Sequence, residues 1–127
     1  MNKRDRIILV KIIEETTMLA KMVDGIGESD FLANDEKMRA VCMTLINIGE
    51  LVKNLTEDFR KDYQQIPWKD IAGLRDVAAH GYFTLRMDDI WVCAASELPT
   101  YSKQIEDILH KEADDSQEIS NDEGGKQ

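Results

Sequence analysis

Asn34-Asp35-Glu36-Lys37-Met38-Arg39-Ala40-Val41-Cys42-Met43-Thr44-Leu45-Ile46-Asn47-Ile48-Gly49-Glu50-Leu51-Val52 is the stretch on which the fold turns. Its apolar residues recur at Val41, Leu45, Ile48 and Val52, and then at Leu55 and Phe59, in alternating steps of four and three. That is the period of a helix lying along a neighbouring helix. Asn34 is a good N-cap, and Asp35 and Glu36 in the first turn suit the positive end of the helix dipole. The reading predicts one long helix from Asn34 to about Tyr63.

The pattern continues outward on both sides. Before it, a helix is expected from Asp5 to about Asp24, burying Ile8, Ile12, Leu19, Met22 and Val23 and ending at Gly25 and Gly27, with Ser29-Asp30-Phe31-Leu32 as a short connecting turn. After it, Pro67 opens a helix that carries Trp68, Ile71, Leu74 and Ala78 inward and stops around Gly81. The last helix starts at Asp88 or Asp89 and repeats Trp91, Ala94, Leu98, Tyr101, Ile105 and Ile108, with Pro99 bending it. No stretch alternates as a strand does. The expected class is all-α, a bundle of four main helices plus a short connecting element, with antiparallel neighbours because the connections are short. Two apolar seams in so small a bundle predict surface left for a second copy, hence a homodimer.

At 127 residues and 14.5 kDa the chain is read as one domain over 1–110, followed by a tail over 111–127. The tail holds Glu112, Asp114, Asp115, Glu118, Asp122 and Glu123 against Lys111 and Lys126 and is almost without apolar residues, so it is expected to be disordered. It accounts for four of the nine net negative charges and leaves the rest of the chain at -5. Such a balance excludes general affinity for nucleic acid, so any RNA contact must be local. Apolar runs are too short to cross a membrane, and the N-terminal one is interrupted by Lys11 and Glu14-Glu15, which predicts a cytoplasmic protein. Cys42 and Cys93 sit in apolar helical segments and read as buried thiols. No residue set has the spacing of a metal site, and no cofactor is implied.

Chemistry is plausible in one place, Gly73-Leu74-Arg75-Asp76-Val77-Ala78-Ala79-His80-Gly81-Tyr82. Arg75 can grip a phosphate, and His80 can move a proton near neutral pH. Asp76, four residues before His80 on the same helical face, can orient its imidazole. Together they suit RNA cleavage without a metal, in which a base activates the 2′-hydroxyl against the adjacent phosphorus and Arg75 stabilises the charge that builds there. Tyr82 could donate to a phosphate, stack on a base or be modified. Arg75 lies about 140° around an ideal helix from His80, so the two converge only if the helix distorts, which Gly81 would ease, or if a second subunit contributes. Taken alone, an Arg and a His near a helix C-terminus are more often dipole partners than catalysts. His110 reads as a solvated C-terminal residue, and Asp88-Asp89 as a cap.

The run Ile66-Pro67-Trp68-Lys69-Asp70-Ile71-Ala72-Gly73-Leu74-Arg75-Asp76, followed by His80-Gly81-Tyr82-Phe83 and Trp91, resembles the HepT family of HEPN-domain toxins, and Ile48-Gly49-Glu50 and Leu98-Pro99 fit as well. The resemblance covers about residues 5–109. It implies a HEPN helical bundle that dimerises and sets Arg75 and His80 of both subunits in a shared cleft as a metal-independent ribonuclease. It also implies the toxin half of a type VII toxin-antitoxin system, neutralised when an MntA-like nucleotidyltransferase transfers AMP to the motif tyrosine, here Tyr82. Two positions depart from the family pattern: Gly81 stands where Asp is frequent, and Met43-Thr44 where an Arg-Asn pair is frequent. The second leaves RNA contact to Lys53, Arg60, Lys61, Lys69 and Arg86, with Lys69 and Arg86 the leading candidates. The alternative reading is a non-catalytic helical module that binds and regulates the nucleotidyltransferase.

Overall fold

The computed structural model describes residues 1–125, with side chains to residue 113. Helix α1 (Lys3–Val23) begins where the Asn2 side chain accepts a 2.7 Å hydrogen bond from the Asp5 amide. It buries Ile8, Leu9, Ile12 and Leu19, while Met22 and Val23 pack half-buried against the core. The expected connecting turn is a short helix, α2 (Glu28–Leu32), which inserts Phe31 against Trp91 with ring centroids 5.3 Å apart. Helix α3 (Asp35–Lys53) is capped by Asn34, whose side chain accepts from the Lys37 amide at 3.0 Å.

The single helix expected over residues 34–63 is two. Helix α3 ends at Lys53 and α4 (Glu57–Asp62) follows. At the break the Asn54 side chain donates to the Glu50 carbonyl (2.8 Å), and Thr56 caps α4 by accepting from the Phe59 amide (3.2 Å). Asp5, only 1% exposed, accepts from both the amide (2.9 Å) and the hydroxyl (2.7 Å) of Thr56. Leu55 and Phe59 stay buried, so the apolar seam survives the interruption.

The helix expected over 67–81 is likewise divided, into α5 (Trp68–Ala72) and α6 (Leu74–Phe83), which meet at Gly73. Helix α6 runs past Gly81 without distortion. The last rod is α7 (Met87–Val92), a wide π turn (Cys93–Glu97) and α8 (Leu98–Gly125). Pro99 has no amide hydrogen for the preceding turn, and the chain meets this by widening that turn instead of breaking. Helix α8 is continuous past residue 110, where the tail was expected to begin. Lys111, Glu112 and Ala113 belong to it, and Glu112 accepts a hydrogen bond from the Tyr63 hydroxyl. What the expectation of disorder says of side chains beyond 113 lies outside the described residues.

The result is an all-α bundle of four rods, α1, α3–α4, α5–α6 and α7–α8, with no strand among the described residues. Helix α3 is central, packed on α1 and α6, and α8 closes against α1. Val41, Leu45, Ile48, Ile71, Ile90 and Ile105 meet in one core. The first seam is buried along its length, and in the second Ala94, Leu98, Ile105 and Ile108 are buried while Trp91 and Tyr101 stay half-buried. Large exposed apolar side chains lie elsewhere, notably Met43, Val77, Phe83 and Leu85. Cys42 and Cys93 are buried free thiols, as expected. No helix among the described residues is long and apolar enough to cross a membrane.

Candidate active site

Gly49 fixes where the site stands. A Cβ there would lie 2.8 Å from the Ala72 carbonyl oxygen and 2.8 Å from both the amide nitrogen and Cβ of Arg75. Only glycine lets α3 approach the start of α6 so closely. The crossing sets Glu50 beside Arg75, whose Nε lies 2.7 Å from a Glu50 carboxylate oxygen. Both side chains remain 45% exposed. Further along the same antiparallel pair, the Arg39 guanidinium lies over the Tyr82 ring, 5.9 Å from its centroid, and the Phe83 ring meets Tyr82 edge-on at 5.6 Å. Arg39 is also paired with Asp35 (3.3 Å).

Arg75, Asp76 and His80 are all exposed on α6, and Tyr82 is half-buried. The expected orientation of His80 by Asp76 is absent: no hydrogen bond joins the two side chains among the described residues. The His80 carbonyl accepts from both the amide (3.0 Å) and the hydroxyl (2.8 Å) of Thr84 at the end of α6. Because α6 is regular from Leu74 to Phe83, Arg75 and His80 keep the divergence of an ideal helix, about 140°. One subunit does not bring them onto one phosphate.

Gly81 does not loosen the helix as expected. It is buried against α7, where an added Cβ would lie 2.9 Å from the Ile90 Cδ1. The irregularity falls just after it. Arg86 N–H donates to the Gly81 carbonyl (2.8 Å) and Leu85 adopts φ 61, the Schellman arrangement that ends many helices. Leucine is an unusual occupant of that left-handed position, and its side chain is 83% exposed, as is that of Phe83. Arg86 itself is tied to Asp89 (3.1 Å) and more loosely to Asp88 (3.9 Å), at the opposite end of α5–α6 from Lys69.

Sequence reasoning missed the roles of Glu50 and Arg39. Gly49 was the available signal, a lone glycine inside a strongly apolar helix, which marks close approach of another backbone. Among the described residues no three His, Cys, Asp or Glu side chains gather as a metal would require.

A family model described as ribonuclease HepT-like matches residues 12–108. The chain is 40% identical over 110 residues to "Putative RNase TTE0752" of Caldanaerobacter subterraneus subsp. tengcongensis, spanning 87% of this chain and 98% of that one. It is 37% identical over 110 residues to "Putative RNase MJ0127" of Methanocaldococcus jannaschii, spanning 86% and 91%. With "Probable ribonuclease HepT" of Thermococcus cleftensis it shares 28% identity over 108 residues, spanning 85% and 98%. No solved structure matches. With an all-helical bundle, an exposed Arg75 and His80 on one helix, and a match across most of its length, the chain belongs to the HepT-like ribonuclease family.

Proposed function

We propose that this protein is a metal-independent endoribonuclease, the toxin of a type VII toxin-antitoxin pair, active as a homodimer. The observation that carries the reading is the open display of Arg75 and His80 on α6, pinned by the glycine-dependent crossing of α3. The divergence of the two side chains supports a composite site, in which Arg75 of one subunit reaches the phosphate served by the partner's imidazole. One His80 takes the 2′-hydroxyl proton as O2′ attacks phosphorus. The P–O5′ bond breaks, the other His80 protonates the departing oxygen, and a 2′,3′-cyclic phosphate and a 5′-hydroxyl remain. Arg75 stabilises the charge on the non-bridging oxygens. Met43, Val77, Phe83 and Leu85, exposed on α3, on α6 and just beyond it, supply apolar surface for the second subunit.

Neutralisation follows from the same face. Half-buried Tyr82 makes no hydrogen bond through its hydroxyl among the described residues, which suits a nucleophile for a nucleotidyltransferase partner. Its oxygen would attack the α-phosphorus of ATP, pyrophosphate would leave, and the phenolic proton would pass to a base of that partner. The bulky AMP would then stand two residues from His80.

Incubating purified protein with cellular RNA, beside an Arg75→Ala, His80→Ala double variant, tests the catalytic reading. The expected loss is about a hundredfold or more. Equal cleavage by both ends the assignment. One observation favours a second reading, a non-catalytic module that regulates the nucleotidyltransferase: in the single subunit Arg75 is already paired with Glu50, and among the described residues His80 has no side-chain hydrogen-bond or ion-pair partner. A protein that cleaves no RNA yet forms a stable complex with the transferase would establish it.

A further inference from the structure

We propose that a groove formed by the end of α3, α4 and α5 carries the phosphate backbone of single-stranded RNA toward Arg75, an inference that rests on the ribonuclease reading. The groove encloses about 700 Å³ and is open to solvent along its length. Lys53, Arg60, Lys61 and Lys69 line it, with Glu57 the one acid among the lining residues. Four cations to one acid inverts the balance of a chain with 25 acids and 16 basic residues.

Among the described residues the cations of this surface are free of the chain's own carboxylates: none of the four is in an ion pair, whereas Arg39, Arg75 and Arg86 are each tied to a carboxylate.

The groove is continuous with the candidate site. Lys53 stands one turn beyond Glu50 on α3, about 4.5 Å along the axis. Ala72, which also lines the groove, touches Gly49 through its carbonyl and precedes Arg75 by three residues. A strand laid across Lys61, Lys69 and Lys53 therefore ends at the Glu50–Arg75 pair. Separate point charges along an open channel suit the repeating anion of a polynucleotide better than a single phosphate. Of the two leading sequence candidates for RNA contact, Lys69 lies in this groove and Arg86, neutralised by Asp88 and Asp89, does not.

The test uses a 2′-O-methyl RNA dodecamer, which lacks the nucleophile and so binds without being cut. Its affinity for the full chain is measured by fluorescence anisotropy across a salt series, for wild type and for Lys53→Gln/Lys61→Gln/Lys69→Gln. All three lysines are exposed, and unchanged circular dichroism confirms the fold. The expected result is weaker binding, by at least about tenfold, and a log–log salt slope shallower by roughly two for three lost phosphate contacts. Equal affinity and slope overturn the groove, whether or not the protein cleaves RNA. So does binding of a polyglutamate peptide, but not the dodecamer, in a lysine-dependent manner, which assigns the surface to an acidic protein. Lysine-dependent binding by a protein that cuts nothing sustains the groove and removes the nuclease reading alone.

Discussion

Arg75 and Leu85 show how single positions on this face are held for reasons other than stability. The Arg75–Glu50 pair is half exposed, and pairs of that kind contribute at most about 1 kcal/mol. It can therefore aim the guanidinium without competing strongly against a phosphate. On the proposed nuclease reading Glu50 is a positioning residue: Glu50→Gln is expected to lower kcat severalfold without raising KM, and Glu50→Asp to recover part of the loss. A raised KM at unchanged kcat would instead make Glu50 a binding group. Leu85 is costly where it stands. A non-glycine residue in the left-handed region is disfavoured by roughly 1 kcal/mol, and a side chain so exposed recovers little by burial. Leu85→Gly should raise the free energy of unfolding by about 0.5–1 kcal/mol in a urea titration and weaken self-association in sedimentation equilibrium. If stability does not rise, the leucine contributes within the subunit. If it rises with association intact, the side chain is not part of the subunit contact.

Among the elements, the corner between α3 and α4 rests on one buried carboxylate. Asp5 reaches from the first turn of α1 to take both hydrogens of Thr56, so two segments about fifty residues apart are joined through one side chain. Asp5→Ala would strand a buried amide and a hydroxyl, for an expected loss of about 2–3 kcal/mol. Asp5→Asn, which keeps one acceptor, should lose about half of that. Chemical denaturation measures both, and a near-neutral Asp5→Ala would mean that water replaces the carboxylate. This corner also marks the limit of what was legible in the sequence. The periodicity of Val41 through Phe59 identified the buried face correctly, because side-chain burial follows the hydrophobic pattern even where the backbone is interrupted. It could not locate the interruption, which depends on a distant Asp5. The π turn before Pro99 was legible as a disturbance but not as a widening. At the site, Arg75, Asp76, His80 and Tyr82 were visible as a cluster on one helix. The pairing of Arg75 with Glu50 was not, since it arises from how two helices cross.

For the molecule as a whole, charge is distributed unevenly around a core that holds two neutral thiols. One acid, Glu57, lines the α4–α5 groove against four cations, so a chain of net charge -9 can still present a local cationic surface. Burial pushes the Cys42 thiol from 9.0 up to about 11. Cys93 rises to the same value, chiefly through burial with help from the nearby Glu97 and Asp89 carboxylates. Tyr101 is raised as well, first by desolvation and then by Glu97. In each case the unfolded chain releases its proton at lower pH than the folded one, so above pH 9 the unfolded state binds fewer protons and stability must fall as pH rises. The contribution of the thiols is fully present below about pH 9 and disappears through about pH 11. Urea midpoints measured at intervals from pH 8 to pH 11 should decline over that window. In Cys42→Ala/Cys93→Ala the curve should start lower at pH 8, from the lost sulfur packing, and decline less steeply, with Tyr101 responsible for part of what remains. A double variant that declines as steeply as the wild type would show that the thiols ionise in the folded chain as readily as in the unfolded one, and that the core around them admits water.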